Sequence, residues 1–447
     1  MKKLFLQISL FVYITGAFSQ SLIQSGPMLG YSEMREVLIW IQTKSPAKVK
    51  AKYWVTTNSG TSYFTDEYQT QKDKAFTAKL IADQVQPDNN YSYEIYVNGK
   101  AQKFTYPLTF KSKPLWLYRK DAPDFKIALG SCAYVNDPAY DRPGEPYGGN
   151  YEIFTSIYQK KPDLMMWLGD NTYLRESDWD TQTGIFHRYT HTRSLPDMQP
   201  LLASTHHYAI WDDHDFGPND SDGSFYNKAS TRKTFELFWG NNVFGTNGLG
   251  SINSSFQWAD CEFFLLDDRF YRTPNNLMEK DTLNSVMLGK EQSKWLIEAL
   301  SASKSTFKFI CVGGQFLNPS GDNPESFIKV KSEMKTILDA IAKNKVRGVM
   351  FLTGDRHFSD LTYLNREGTY TLYDFTVSPL GAKGYCPKNK EGEASYPRVE
   401  GSLLCNQRNF GMIEVSGNKE ERQLRLVLYD VTGNEKFSKV IKAKDLK

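Results

Sequence analysis

Leu164-Met-Met-Trp-Leu168 sets five large apolar residues in a row, bounded by Pro162-Asp163 before and Gly169-Asp170 after. A run without a polar interruption suits a strand buried on both faces, as in a parallel sheet covered by helices. It ends at a carboxylate, so Asp170 stands just past the strand's carboxyl end, where open α/β sheets bind ligands. Tyr173 offers a phenol to the same crevice. Alone, the segment is also what a strand followed by an ordinary Gly-Asp turn looks like. It gains weight because Val349-Met-Phe-Leu-Thr-Gly-Asp-Arg-His357 repeats the form.

The rest of the chain divides around this element. Residues 20–115 read as an all-β immunoglobulin- or fibronectin-like sandwich, with strands expected at 37–43, 49–56, 75–80 and 91–97. Turn residues such as Asn58-Ser-Gly60 and Asn98-Gly99 separate them. Lys113-Pro114 opens a linker. Residues 120–445 then alternate apolar strands with helix-like segments, which predicts an α/β domain of sheets flanked by helices. Expected strands there are 125–130, 164–168, 208–211, 264–271, 307–312, 349–353, 369–377 and 424–429. Expected helices are 151–160, 186–202 (broken at Pro196), 231–239, 289–300 and 331–343. Trp295 and Leu296 lie on one of these helices as core residues.

Four strand ends carry donor atoms: Cys132; Asp170 and Tyr173; Asp212, Asp213, His214 and Asp215; and Asp355 and His357. Only six histidines occur in the chain, and two of them are here. Carboxylate, imidazole, thiolate and phenol at matching ends of neighbouring strands make a metal site by ligand inventory. A free phenol ionises near pH ~10, so its coordination requires a strongly Lewis-acidic ion. Thiolate with phenolate favours Fe3+, whereas aspartates with an Asn carbonyl suit Ca2+ or another divalent ion. A mixed site would have Asp170 bridging. His187, His191, His206 and His207 flank helix-like segments and read as surface or structural residues.

Gly130-Ser-Cys132, Gly169-Asp-Asn-Thr-Tyr173, Trp211-Asp-Asp-His-Asp215 with Asn219 after it, Leu266-Asp-Asp-Arg-Phe-Tyr-Arg272, Leu288-Gly-Lys-Glu-Gln-Ser-Lys-Trp-Leu296 and Gly354-Asp-Arg-His357 stand in an order that resembles the PhoD-like alkaline phosphatases. The likeness extends forward through Gly26-Pro-Met-Leu-Gly-Tyr31 and Ile39-Trp-Ile-Gln-Thr43. It implies a calcineurin-like metallophosphoesterase domain that hydrolyses phosphate monoesters and diesters. Residue by residue, Cys132 and Tyr173 resemble the family's iron ligands and Asp170 its bridging carboxylate. Asp213, Asn219, Asp355 and His357 resemble the remaining ligands to iron or calcium, and His214 a residue that contacts phosphate or else supports the ligands from behind. Gly217-Pro218 departs from the acidic and Asn residues that precede this position in secreted members. Water held by such ions ionises towards neutral pH and attacks phosphorus in line. Arg269 or Arg272 would clamp the ester, or else serve as a structural ion-pair residue.

Met1-Lys-Lys3 followed by an apolar stretch to Phe18, with Ala17-Phe-Ser19 as the small-x-small pattern, reads as a signal peptide over 1–19 without an Arg-Arg pair. The protein is expected to be exported, periplasmic or extracellular. Of the five cysteines, Cys386 and Cys405 flank a polar loop as a candidate disulfide, and Cys261 and Cys311 lie in strand-like runs as small buried hydrophobes. A net charge of +3 gives no electrostatic case for nucleic acid. The expected partners are small-molecule or polymer phosphate esters, met by a monomer. Two rival readings are a phosphodiesterase acting on cell-wall polymers or lipid head groups, and a non-catalytic secreted binding protein that keeps the fold.

Overall fold

The computed structural model describes residues 21–149, 151–320, 325–387 and 396–447. The expected signal peptide over 1–19 lies outside these residues. Three sheets carry the fold. At the centre of a nine-stranded sheet, Phe125–Gly130, Leu164–Leu168 and His206–Ile210 run parallel, with Ile127 opposite Leu164 and Leu164 opposite His206. All five residues of Leu164–Leu168 are buried, as the apolar run requires. Asn409–Ser416, Gln423–Asp430 and Glu435–Lys442 extend this sheet antiparallel on one side.

On its other side the sheet takes in strands from the amino-terminal β region. Ile23–Ser32 pairs parallel with His206–Ile210 at Leu29 and His206, and Val37–Thr43 and Thr77–Ala82 follow. One layer of the expected sandwich is therefore continuous with the nine-stranded sheet of the α/β region. The other layer is a separate six-stranded sheet built on Lys48–Val55 and Asn90–Val97. Between the two layers, Leu29, Ile39, Ile41 and Leu80 pack on Val49, Tyr53, Ile95 and Phe110.

The remaining six-stranded sheet orders Ser254–Trp258, Cys261–Leu265, Phe307–Cys311, Val349–Thr353, Leu372–Thr376 and Asp360–Leu364. Its side chains alternate between two cores. Phe263, Phe309 and Leu352 face the nine-stranded sheet, where they join Met166, Trp211 and Met412. Phe264, Ile310 and Phe351 face the helices Lys290–Ala302 and Lys331–Lys343, meeting Leu296, Ile337 and Ile341. Leu296 is buried and Trp295 packs partly buried against the same core. This period of two explains why the strands are apolar throughout, since each residue has a covered face to occupy.

The strand expected to run from 264 to 271 ends at Leu265. Beyond it, the carboxylate of Asp267 accepts the N–H groups of Ile252, Arg269 and Phe270 and the indole N–H of Trp211. Those bonds replace ladder pairing with a tight loop. Cys386 and Cys405 form a disulfide with 4.8 Å between their Cα atoms, and Cys132, Cys261 and Cys311 are free and buried.

Candidate active site

The carboxyl ends of Phe125–Gly130, Leu164–Leu168, His206–Ile210 and Val349–Thr353 converge where the nine-stranded sheet meets the six-stranded sheet that contains Val349–Thr353. Glycine makes the approach possible. A Cβ on Gly169 would stand 2.6 Å from Cβ of Asp212, and Gly169 has φ of +91°. A Cβ on Gly354 would meet the Leu168 carbonyl and Ser131 Cβ at 2.6 Å. The Gly-Asp repeat thus lets the strand ends pack backbone to backbone while the next residue carries the carboxylate.

Cys132, Asp170, Asp355 and His357 all adopt left-handed backbone conformations, with φ between 54° and 66°. Non-glycine residues in that region cost about 1–3 kcal/mol each and gather where function over-determines them. Four such residues on one rim, from three strand ends, aim their side chains at a shared point.

Asp170 is at that point. Its Oδ2 accepts the Tyr173 phenol at 2.9 Å and lies 3.5 Å from Cys132 Sγ. Its Oδ1 accepts the His214 backbone N–H at 3.3 Å. The phenol oxygen is also 3.2 Å from His357 Nε2. Donor atoms of Cys132, Asp170 and His357 lie within 4.8 Å of one another, and so do those of Asp170, Asp213 and His214. Asp170 therefore belongs to two donor groups at once. Asp355 joins the second side through a hydrogen bond with Glu325 and the nearby charge of Asp213.

The electrostatics of this rim call for a cation. Burial, and then Asp213, Cys132, Asp215 and Asp355, push the Asp170 carboxyl well above its ordinary range. Asp355 is raised the same way by burial and by Glu325. Burial pushes the Cys132 thiol up to about 12, against hydrogen bonds from Ser378 and Ser131. Tyr173 is raised well above a free phenol by burial and Asp170. Burial takes His357 down to about 4 and His214 to about 3, which keeps both imidazoles neutral and fit to ligate or donate. Buried carboxylates that raise one another fit an ion that would favour their charged forms. Among the described residues, buried Oδ1 of Asn171 and Nδ1 of His214 have no hydrogen-bond partner, which adds two open donor positions.

Two expected residues are placed differently. Asn219 is exposed at the mouth of the cavity, and among the described residues no hydrogen bond ties its side chain to the cluster. Its neighbour Asp220 instead donates its backbone N–H to Asp213 at 2.7 Å. Arg269 is fully buried, away from the cavity. Its Nε donates to Asp212 at 2.6 Å, and Nη1 pairs with Glu325 at 2.5 Å and donates to the Ser221 carbonyl. Asp212 is thereby committed to Arg269, which leaves Asp213 as the member of the Asp212-Asp213 pair nearer Asp170.

Several residues of the site carry no signal in the sequence. Ser378 donates to Cys132 Sγ at 3.1 Å and accepts the His357 backbone N–H at 2.9 Å. The Tyr147 hydroxyl lies 3.0 Å from His357 Nδ1, which is also 3.0 Å from the Lys383 carbonyl. A cavity of about 690 Å³ opens above the cluster, bounded by His214, Tyr134, Arg175, Tyr147 and the Pro138–Pro146 loop. The other histidines have structural partners: His206 faces the Gly30 and Lys111 carbonyls, His207 accepts the Trp167 indole N–H, and His187 and His191 bond Asp137 and the Asn136 carbonyl.

Comparison with known proteins agrees with this arrangement. Among solved structures, the chain is similar to one described as the structure of PhoD, with a TM-score of 0.74, 16% identity, and 95% of this chain and 90% of that one covered. It is also similar to the purple acid phosphatase PPD1 of yellow lupin (Lupinus luteus), with a TM-score of 0.64, 12% identity, and 93% and 74% covered. A search of curated proteins found no match. Residues 20–112 match a domain of unknown function, DUF7800. The profile described as PhoD-like phosphatase matches residues 127–426, about two thirds of the sequence and every strand end in the cluster. With the match covering that much of its length, the chain belongs to the PhoD-like phosphatases.

Proposed function

We propose that this phosphoric ester hydrolase acts outside the cytoplasm as a monomer, on phosphate monoesters and also on diesters, with Fe3+ and Ca2+ as its ions. The observation that carries the reading is the shared position of Asp170 between the Cys132–His357 and Asp213–His214 groups. Cys132, Tyr173, Asp170 and His357 would hold the harder Lewis acid, and Asp170, Asp213 and Asp355, with Asn219 from the cavity mouth, the second ion. When bound, such ions acidify water and neutralise phosphate oxygens.

The chain's own residues complete the chemistry. Asp170 and His357 orient the Tyr173 phenol from two directions. Lys383 and Tyr147 fix the His357 ring through Nδ1, which leaves Nε2 to face the site. His214 stacks on the Tyr173 ring at 4.2 Å between centroids and presents a neutral imidazole to the cavity as a hydrogen-bond donor for phosphate. The cavity has room for an alcohol moiety well beyond a bare phosphate, as a monoester or a diester requires. Elemental analysis of the purified protein, with hydrolysis of p-nitrophenyl phosphate and its bis-ester, tests the proposal. Absence of bound metal together with absence of hydrolysis would return the binding-protein reading.

Export is supported by the leader pattern and by the Cys386–Cys405 disulfide, which persists in oxidising compartments. No helix among the described residues is long and apolar enough to cross a membrane.

Tyr173→Phe is expected to bleach any visible phenolate-to-iron absorption while leaving the circular dichroism spectrum unchanged. An unaltered absorption spectrum would remove Tyr173 from the ligand set. Metal removal gives a second test. Asp170, Asp213 and Asp355 all have raised carboxyl pKa values in the folded chain. A raised carboxyl favours folding most below its unfolded value, about 4, and that contribution is lost as pH rises through the folded value. Metal-stripped protein should therefore show a Tm that falls as pH rises above about 4, and metal-loaded protein a smaller fall. Calorimetric scans of both forms check the difference; parallel curves would mean that these carboxylates hold no ion.

A further inference from the structure

Arg175 sits two residues past Tyr173, is only 7% exposed, and lines the cavity above the cluster. Its guanidinium lies over two rings, 4.8 Å from the centroid of Tyr134 and 5.5 Å from that of Tyr173. Nε donates to the Tyr134 hydroxyl at 3.3 Å, and that hydroxyl in turn donates to Asp141 at 2.7 Å. The side chain is thus held flat and fixed by stacking on one face and by one hydrogen bond at its edge.

The charge on this guanidinium is not matched by a carboxylate. The neighbouring acids are committed elsewhere: Asp178 to Arg188 at 2.7 Å, and Glu176 to Arg142 at 2.7 Å. Among the described residues no carboxylate forms an ion pair with Arg175, in contrast to Arg188, Arg269 and Arg422, the other arginines buried as deeply that do. A buried cation without a fixed counter-ion is costly unless an anion visits it. Its side chain lines the same cavity as His214.

We propose that Arg175 is a substrate-contacting residue that grips the non-reacting oxygens of the phosphoryl group, and that it biases the enzyme towards dianionic monoesters over monoanionic diesters. The inference rests on the phosphoesterase reading above. A planar guanidinium matches two phosphate oxygens at once. A monoester dianion spreads two negative charges over three non-bridging oxygens, and a diester spreads one over two, so the same clamp discriminates by charge.

The test uses full-length, metal-loaded protein and the Arg175→Gln and Arg175→Lys variants. Arg175→Gln is expected to lose about 10²-fold in kcat/KM on p-nitrophenyl phosphate and markedly less on bis-p-nitrophenyl phosphate, with metal content unchanged. Arg175→Lys should recover part of the loss. Inorganic phosphate binding, measured by calorimetry, should weaken at least about tenfold in Arg175→Gln. Equal losses on the two esters overturn the charge bias. Phosphate affinity equal in wild type and variant, or absent in both, overturns the clamp. A fall in metal content would make Arg175 a support for Tyr173 instead. Should wild type bind phosphate through Arg175 yet turn over neither ester, the clamp stands and the hydrolase reading fails.

Discussion

Asp170→Asn is expected to lose about 10³-fold or more in kcat and to retain substantially less metal than wild type. The expectation follows from the double membership of this one carboxylate. Oδ2 faces Cys132 and Tyr173, and Oδ1 is on the side of the His214 backbone. Asparagine keeps the shape but removes the charge and replaces one acceptor oxygen with an N–H donor. That donor would point at a phenol and thiol or into the second group, so one of the two sides must lose its ligand. Losing several kcal/mol of charge stabilisation at the reacting centre corresponds to about a thousandfold in rate. Elemental analysis and steady-state kinetics on the same preparation check both parts. Near-normal turnover would mean that two separate ligand sets exist and that Asp170 bridges nothing.

Arg269→Ala is expected to destabilise the folded protein by about 3–5 kcal/mol. The guanidinium is fully buried among Asp212, Glu325 and Asp268, and it also bonds the Ser221 carbonyl. Removing it takes the Arg269 charge away from three buried carboxylates, which is the costly way to break a buried pair. Arg269→Lys should recover only part of the loss, because a single ammonium cannot reach both acids in the fork geometry. Thermal unfolding of the metal-loaded variants, read beside kinetics on the folded fraction, separates the two roles the sequence allows. A substrate clamp would lose kcat/KM at unchanged stability. An ion-pair hub would lose stability first, with activity following through Asp213, the chain neighbour of Asp212.

The parts of this molecule legible in the sequence are those whose cause is local. Leu164–Leu168 and Val349–Thr353 announce themselves because both faces are covered and each ends in Gly-Asp. The rim residues Cys132, Asp170, Tyr173, Asp213, His214 and His357 are visible because each follows an apolar strand, and parallel order brings such ends together. What escapes notice depends on partners far away in the chain. Ile23–Ser32 contains Gly26-Pro27 and Gly30, which read as breakers, yet it pairs with a strand that starts at His206. Glu325, Ser378 and Tyr147 come from loops whose local pattern says only that they are loops, and their chemistry arises from what they meet. Arg175 is silent in the sequence for a different reason: two residues past the motif's tyrosine, it looks like any charged surface residue until its burial is known.

The pairing of Ile23–Ser32 with His206–Ile210 has a consequence for how this enzyme can be dissected. Cutting away the first hundred residues would not free a self-sufficient catalytic half; it would strip the neighbour from one side of the strand that leads into Asp212 and Asp213. The exposed amides of that new border would invite association with other chains, and the loop that positions two acidic side chains would lose its footing. The front of the polypeptide thus braces a strand behind the reaction site and is not a detachable handle.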